Sequence, residues 1–458
     1  MKDIVDRLST SIRNSRGLRL LGIAILALLL QIPVLMISGL VSEREERRAS
    51  AVTEVSSKWG NAQAITGPAL VLPYTYRWSE VSNRGTTVAR SETRYAFFLP
   101  ETLHVRGDMK AETRHRGIFS VPVYKLALTV DGDFARPKLA ELGVKPEDVD
   151  WRRAHVAVGI SDVRAIQEGT SVTWNGQPAG FLPGTGGFTE GGTGIHAPVT
   201  MADTTQRMRF AFPLSLNGSE SVRVAPFGQT TVVELHGNSG DPSFQGNWLP
   251  TTRNITDNSF DATWNISFLG RSFPQSWTSD TKVDKDEGSR FESSRFGVAL
   301  VDPVGHYAMA HRSVKYAGLF IMLTFATVWL IEILAGVRVH AIQYLMIGGA
   351  LCLFYLLELS LSEHLGFPAA YVIASAAVVA MLGAYGIVAL RRASRAGVVA
   401  AGVALLYAYL YLLLMNEDYA LLIGSIGLFA ILGAIMYVTR RIDWYAASDG
   451  PSPAGQNA

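Results

Sequence analysis

The sequence predicts an α+β membrane protein with one N-terminal anchor helix, a large and mostly antiparallel β domain, and a C-terminal bundle of five transmembrane helices. Three observations predict it. Of the 458 residues, 48% are hydrophobic and only 17% charged, whereas a soluble globular chain carries about 25% charge. The apolar residues concentrate in 18–41 and 316–438, which excludes a purely soluble chain. Between those blocks, residues 42–315 contain no apolar run long enough to cross a bilayer, and their pattern turns to short alternating segments. A net charge of +2 is too balanced to argue for nucleic acid as a partner. The single cysteine, Cys352, excludes an intrachain disulfide and any zinc or iron–sulfur site built from cysteines of this chain.

Each element follows in order. Residues 1–17 form a basic N-terminal tail, and 18–41 form the first span, with no charge after Arg19. About 20 apolar residues cross a ~30 Å hydrocarbon core. A cleaved signal peptide would have an apolar stretch of about 7–15 residues and a small-residue cleavage site. The longer run here favours an uncleaved anchor. Pro33 within it is expected to kink the helix, because proline gives no backbone donor and crowds the preceding turn. Five further spans are expected at 316–337, 341–361, 368–390, 397–415 and 419–438, leaving 439–458 as a tail.

Charge asymmetry orients the set. Lys2, Arg7, Arg13, Arg16 and Arg19 precede the first span, Arg338 follows the second, Arg391, Arg392 and Arg395 follow the fourth, and Arg440 and Arg441 follow the sixth. The other two short breaks, 362–367 and 416–418, have no Lys or Arg and carry Glu363, Glu417 and Asp418. The positive-inside rule therefore puts both termini in the cytoplasm and residues 42–315 outside it. Arg44, Arg47, Arg48, Arg312 and Lys315 lie on the outer side, but they flank a long translocated domain, for which the rule has little force.

The outer domain begins with a helical stalk at 43–59. Glu43/Arg47 and Glu54/Lys58 are spaced for i,i+4 pairing, Arg44/Arg48 share that spacing as like charges on a solvated face, and Val52, Val55 and Trp59 share a face expected to pack on the following domain. Strands are expected at 69–78, 118–130, 154–160, 208–216, 230–236 and 260–268. Turns are expected at Asp131-Gly132, Asn175-Gly176, Asn217-Gly218 and 238–240, and a short helix at 137–142 or 162–168. Such a pattern suggests antiparallel sandwiches or a barrel-like sheet, arranged as one elongated domain or as two lobes. The glycine-rich run 183–194 lacks the Gly-Lys-Ser/Thr ending of a phosphate loop and reads as a flexible connector.

No catalytic, cofactor or metal site is predicted. The nine histidines do not cluster, and no nucleophile or metalloprotease motif stands in a supporting context. Ser362-Glu363-His364 has triad-like residue types, yet adjacent side chains point in different directions. His364 near Glu358 and Glu363 is not assigned a metal. The informative oddities are acids within spans, which mark functional or interhelical contacts because a charge at the bilayer centre costs about 2.5–3.5 kcal/mol. Glu332 lies near one end of the second span, where Arg338 or His340 is the expected partner, and Glu358 lies near the far end of the third.

Several segments resemble the CreD family of inner-membrane proteins of Gram-negative bacteria. They are Trp59-Gly60 with Gln63, then Gly67-Pro68-Ala69-Leu70 and Pro73-Tyr74; Leu269-Gly270-Arg271 with Pro274, Gln275 and Trp277; and Pro303-Val304 with Tyr307, Arg312 and Lys315-Tyr316. The most specific run is Val339-His340-Ala341-Ile342-Gln343-Tyr344-Leu345, continuing through Phe354-Tyr355-Leu356-Leu357 to Leu359-Ser360-Leu361-Ser362-Glu363-His364. Arg440-Arg441-Ile442-Asp443-Trp444 resembles the family's closing segment. Ala341 stands where the family has proline and Glu358 where it has an apolar residue, so the resemblance gives Glu358 no role. Glu332, Gln343, Glu363 and His364 fall within the resembling pattern and are the candidate functional polar residues.

The resemblance implies a periplasmic location for the β domain and a role in cell-envelope integrity tied to the Cre two-component stress response. It supplies no catalytic residues. The expected function is thus non-enzymatic maintenance of the envelope, with the lipid bilayer and a periplasmic or envelope protein as partners. The alternative is a transporter or exporter component using the bundle's acids.

Overall fold

The computed structural model describes residues 16–81, 87–189, 192–201, 207–280, 291–300, 305–335, 337 and 339–440. The chain divides into two compact units, one of residues 1–48 with 304–458 and the other of 49–303. The fold is α+β, with an N-terminal apolar helix, a large antiparallel-rich sheet unit and a C-terminal helical bundle.

In the helical unit, α1 (Arg16–Leu29) and α2 (Gln31–Trp59) are separated only at Leu30. Pro33 has no N–H to donate to the Leu29 carbonyl, and the interruption falls on the preceding turn. A short α3 (His306–Lys315) leads into α4 (Ala317–Ala335), α5 (Ala341–Leu365), α6 (Phe367–Ala389), α7 (Ala393–Met415) and α8 (Ala420–Thr439). Counting α1 and α2 together, six helices among the described residues are long and apolar enough to cross a membrane. Apolar residues lie on all sides of α4 to α8, as lipid-facing helices require. Aromatic side chains fill the bundle: Phe354 packs on Tyr407 with ring centroids 4.3 Å apart and planes tilted by 34°, and the Tyr371 hydroxyl donates to the Tyr407 carbonyl at 2.8 Å. Gly348 leaves room for Leu30 and Phe325, which a methyl group there would strike.

The other unit is built from two sheets. The first runs, in spatial order, β13 (Pro242–Gly246), β17 (Phe296–Leu300), β11 (Ser221–Val224), β1 (Gln63–Val81), β5 (His155–Ile160), β9 (Gly194–Pro198) and β8 (Leu182–Pro183). Here β2 (Thr87–Phe98) also pairs with β1 and carries β16 (Ser276–Thr278). The second runs β14 (Thr252–Ile255), β15 (Phe260–Ser267), β12 (Thr230–Gly237), β3 (Thr102–Arg116), β4 (Phe119–Phe134), β10 (Met208–Ser219), β6 (Ser171–Trp174) and β7 (Gln177–Gly180). Among the described residues, two pairings, β1 with β11 and β12 with β3, are parallel, and the remaining pairings are antiparallel.

In β10, Met208, Phe210, Phe212, Leu214 and Leu216 are buried while the residues between them are exposed, the signature of a sheet wet on one face. Strands β5 and β17 are buried at every position and so are covered on both faces. One continuous apolar core draws on both sheets, with Trp264 of β15 against Phe296 of β17 at 5.5 Å. The choice left open between one domain and two lobes therefore resolves to a single two-layered body.

Two expected turns are not turns. Asp131-Gly132 lies within β4 and Asn217-Gly218 within β10, where glycine serves close approach. A Cβ on Gly132 would stand 2.0 Å from the Thr102 carbonyl, and one on Gly218 would stand 2.3 Å from the Tyr124 ring. Asn175-Gly176 does turn a hairpin, joining Trp174 to Gln177 with both residues at positive φ. The expected short helices are 3₁₀ turns, Leu139–Leu142 and Val163–Ala165. The glycine-rich run is not a loose connector either, since Thr185 is fully buried and Phe188 nearly so.

Asp162 caps the second of those turns and is held by several donors. Arg164 Nε and Nη2 each lie 2.9 Å from its oxygens, as does Asn61 Nδ2. These bonds, chiefly from Arg164, outweigh desolvation and hold the Asp162 carboxyl below its usual range. Its stabilisation is complete above the unfolded pKa of about 3.9 and drains away as pH falls through the lower folded value. Asp162→Asn is expected to cost about 1–2 kcal/mol at neutral pH. It should also flatten the acid limb of a stability-against-pH curve below about pH 4.

Candidate functional site

The helical unit holds its acids in two groups. In the first, Arg19 of α1 donates from Nη1 to Glu332 Oε1 at 3.0 Å, and the Tyr344 hydroxyl of α5 donates to Glu332 Oε2 at 3.2 Å. Glu332 therefore ties α1, α4 and α5 together. Of the two partners expected from sequence, Arg338 lies outside the described residues, and His340 is engaged elsewhere. His340 Nδ1 accepts from the Ile342 N–H, and Gln343 Oε1 accepts from the His340 N–H at 2.9 Å. This reciprocal cap satisfies donors at the start of α5 and explains Gln343 structurally. Gln343→Ala is expected to cost about 1 kcal/mol, read as a lower thermal midpoint with secondary structure intact.

In the second group, Glu363 accepts from the Tyr307 hydroxyl of α3 at 2.9 Å, with Arg44 Nε of α2 at 3.7 Å. Burial and the neighbouring Glu363 carboxylate raise the Tyr307 phenol, which keeps its proton and donates. Arg44 thus serves Glu363, while Glu43 and Glu54 do pair along the helix with Arg47 (2.6 Å) and Lys58 (2.8 Å). Beside this, Ser313 Oγ donates to Glu358 Oε2 at 2.7 Å, and the buried Glu358 Oε1 has no hydrogen-bond partner among the described residues. Arg312 pairs with Glu417 at 3.0 Å, and His311 lies 3.4 Å from Glu45. His364 is exposed. Among the described residues, no three His, Cys, Asp or Glu side chains are grouped to hold a metal.

Residues of the resembling segments in the β-rich unit are framework. Arg271 Nη1 donates to the carbonyls of Pro226 (2.9 Å), Phe227 (2.8 Å) and Gly228 (3.3 Å), and Nη2 donates to Gln275 Oε1. Gln275 Nε2 in turn holds the carbonyls of Leu99 and Pro100. Burial lowers Arg271 to about 10, so it remains a cation whose charge the carbonyl dipoles offset. Trp59 Nε1 donates to the Tyr124 carbonyl at 3.3 Å, and Gln63 Nε2 to the Asn217 carbonyl at 3.0 Å.

A cavity of about 380 Å³ in the same unit has no counterpart among the sequence-based expectations. It is lined by Thr66, Ser161, Phe97, Phe188, Phe291 and Arg295, with the glycine-rich run closing one side. Arg295 comes from the residue before β17, and no local pattern distinguishes it from a strand-end cation. A wider cleft of about 910 Å³ lies beside the β6–β7 hairpin, but its Arg207 is already neutralised by Glu101 at 2.9 Å and Asp133 at 3.2 Å.

Six candidate spans and a two-layered β unit inserted between the first and second define a multi-pass membrane protein with one large extramembrane unit. A family model described as "Inner membrane protein CreD" matches residues 15–445, and the Escherichia coli (strain K12) protein described as "Inner membrane protein CreD" is 33% identical over 422 residues, 92% of each chain. The chain belongs to the CreD family of inner-membrane proteins. Among solved structures, a zinc metallopeptidase of the M1 class from Deinococcus radiodurans, bound to a Tyr-Ser-Ala substrate, aligns at a TM-score of 0.19 and 8% identity. That alignment covers 48% of this chain and 54% of the other, and it carries no argument.

Proposed function

We propose that this inner-membrane protein maintains cell-envelope integrity without enzymatic activity, within the Cre two-component stress response. Both termini face the cytoplasm and the β-rich unit faces the periplasm, where it meets an envelope protein while the helices rest in lipid. Nucleic acid is not a partner. The observation that carries this reading is kinship along 92% of both chains with an inner-membrane CreD protein. The arginines at 391, 392 and 395, set against the acids at 417 and 418, support the orientation. The bonding of Glu332 and Glu363 supports a static bundle, because each carboxylate is occupied by an arginine and a tyrosine from other helices.

The test uses a deletion strain of the native host, scored for detergent sensitivity and leakage of periplasmic protein. Loss of the gene should make the envelope leaky, and the full chain, Glu332→Gln and Glu363→Gln should each restore it. A deletion strain indistinguishable from its parent would overturn the reading.

A second reading, a transporter component, is favoured by one feature: Glu358, buried among the helices with an unpartnered oxygen. Under that reading Glu332→Gln or Glu358→Gln abolishes complementation at unchanged protein level.

A further inference from the structure

The 380 Å³ cavity of the β-rich unit combines features that a packing defect does not. Its walls are of two kinds. Phe97, Phe188 and Phe291 form an apolar side, backed by Trp277 with centroids 5.3 Å from Phe97 and 5.9 Å from Phe291. Thr66 and Ser279 supply hydroxyls on the polar side, where Ser161 Oγ already donates to the Ala62 carbonyl at 2.9 Å and Thr189 Oγ1 lies 3.0 Å from Thr185 Oγ1. Among the described residues, Arg295 is the only charged one lining it.

The arginine is incompletely compensated. Its side chain is 19% exposed, and its nearest carboxylate, Glu292 at 3.4 Å, is 63% exposed and therefore well hydrated. Thr66 Oγ1, also at 3.4 Å, is a neutral partner, and the buried Arg295 Nε has none among the described residues. Arg223, whose Nε is likewise buried without a partner, adds a second positive charge nearby. Burial and that neighbour depress Arg295, yet a guanidinium stays protonated at any physiological pH. Arg271, in the same unit, shows what a structural arginine looks like here: its Nε also lacks a partner among the described residues, but its two terminal nitrogens reach three carbonyls and a glutamine. A half-buried cation lacking such partners leaves desolvated donors unmet, and a bound anion meets them.

We infer that this cavity binds a small monoanionic carboxylate carrying an apolar or aromatic body. The carboxylate takes the planar fork of Arg295 and the hydroxyls, and the body lies on the phenylalanine wall. A volume of about 300–1,000 Å³ is that of small-ligand sites. A single cation among the described lining residues favours a monoanion over a phosphate dianion. The inference stands on the β-rich unit alone and does not depend on its orientation or on the proposed function.

The test is titration of the full chain in lipid nanodiscs, by calorimetry and saturation-transfer NMR. Three probes are used: N-acetylphenylalaninate, its neutral amide, and inorganic phosphate. The carboxylate is expected to saturate below about 10 mM, with the amide about tenfold weaker or worse. Arg295→Gln should weaken the carboxylate about tenfold while leaving the amide unchanged, and Arg295→Lys should fall between, because an ammonium lacks the fork. Equal affinity for carboxylate and amide, or no saturation by the carboxylate, would overturn the inference even if neither variant folds. Phosphate binding tighter than the carboxylate would overturn the assignment of ligand class.

Discussion

Trp264→Ala is expected to destabilise the β-rich unit by about 3–5 kcal/mol, a large part of the 5–15 kcal/mol that holds an ordinary domain folded. Trp264 is fully buried, and its ring reaches from one sheet to the other, 5.7 Å from Phe244 and 5.5 Å from Phe296. Truncation removes that apolar contact and leaves a cavity that two packed sheets collapse into only partly. It also strands the Trp248 carbonyl, which now accepts from Trp264 Nε1 at 3.1 Å. Trp264→Phe keeps most of the ring and should cost about 1–2 kcal/mol less than alanine. Trp78, partly exposed on the outer half of β1, is the internal control; Trp78→Ala should cost about 0.5 kcal/mol. Pulse proteolysis of the full chain across a urea series reads the unit's midpoint. Equal midpoints for Trp264→Ala and Trp78→Ala would contradict the packing account.

The second large effect is an asymmetry in the helical unit. Arg19→Ala is expected to cost about 2–3 kcal/mol, and Glu332→Gln only about 1 kcal/mol. Removing Arg19 leaves Glu332, 10% exposed, as a carboxylate in low dielectric with only the Tyr344 hydroxyl beside it. Removing the charge of Glu332 instead leaves Arg19, which is 35% exposed and can extend its head group to water. That exposure is why the first figure sits below the 3–5 kcal/mol of a fully buried broken pair. Glutamine also still accepts from Tyr344. Adding Glu332→Gln to Arg19→Ala should therefore recover about 1 kcal/mol, a coupling that double-mutant analysis resolves. Thermal unfolding in detergent supplies the numbers. A result with Glu332→Gln as the costlier single change would mean that the carboxylate does more than tie helices.

Those two cases also mark what the sequence could reveal. Helices of the bundle were legible because apolar runs of about 20 residues rarely occur in chains that stay in water. Strands such as β10 and β15 were legible because one wet face writes itself as alternation. Strands β2 and β3 were not named, since the outer halves of both are polar and exposed on either side. Glycines 132 and 218 read as turn residues because an Asp or Asn precedes each, and the crowding that requires them involves residues distant in sequence. Glu332 and Glu363 stood out as acids beside apolar runs, but their partners did not: Arg19 lies 313 residues from Glu332 and Tyr307 lies 56 from Glu363. The Arg295 cavity left no local trace, because its walls come from β1, β2, β5, the glycine-rich run and the approach to β17.

Orientation underlies the proposed function, and the lone buried Cys352 makes it directly measurable. Glu147 and Ser394 are exposed, one in the β-rich unit and one in the first turn of α7, next to Arg391, Arg392 and Arg395. Each is replaced by cysteine in turn, and intact cells are treated with a maleimide that does not cross the inner membrane. The account predicts labelling of Glu147→Cys in intact cells, and labelling of Ser394→Cys only after the membrane is opened. Protection of Glu147→Cys together with labelling of Ser394→Cys would place the large unit in the cytoplasm and contradict it.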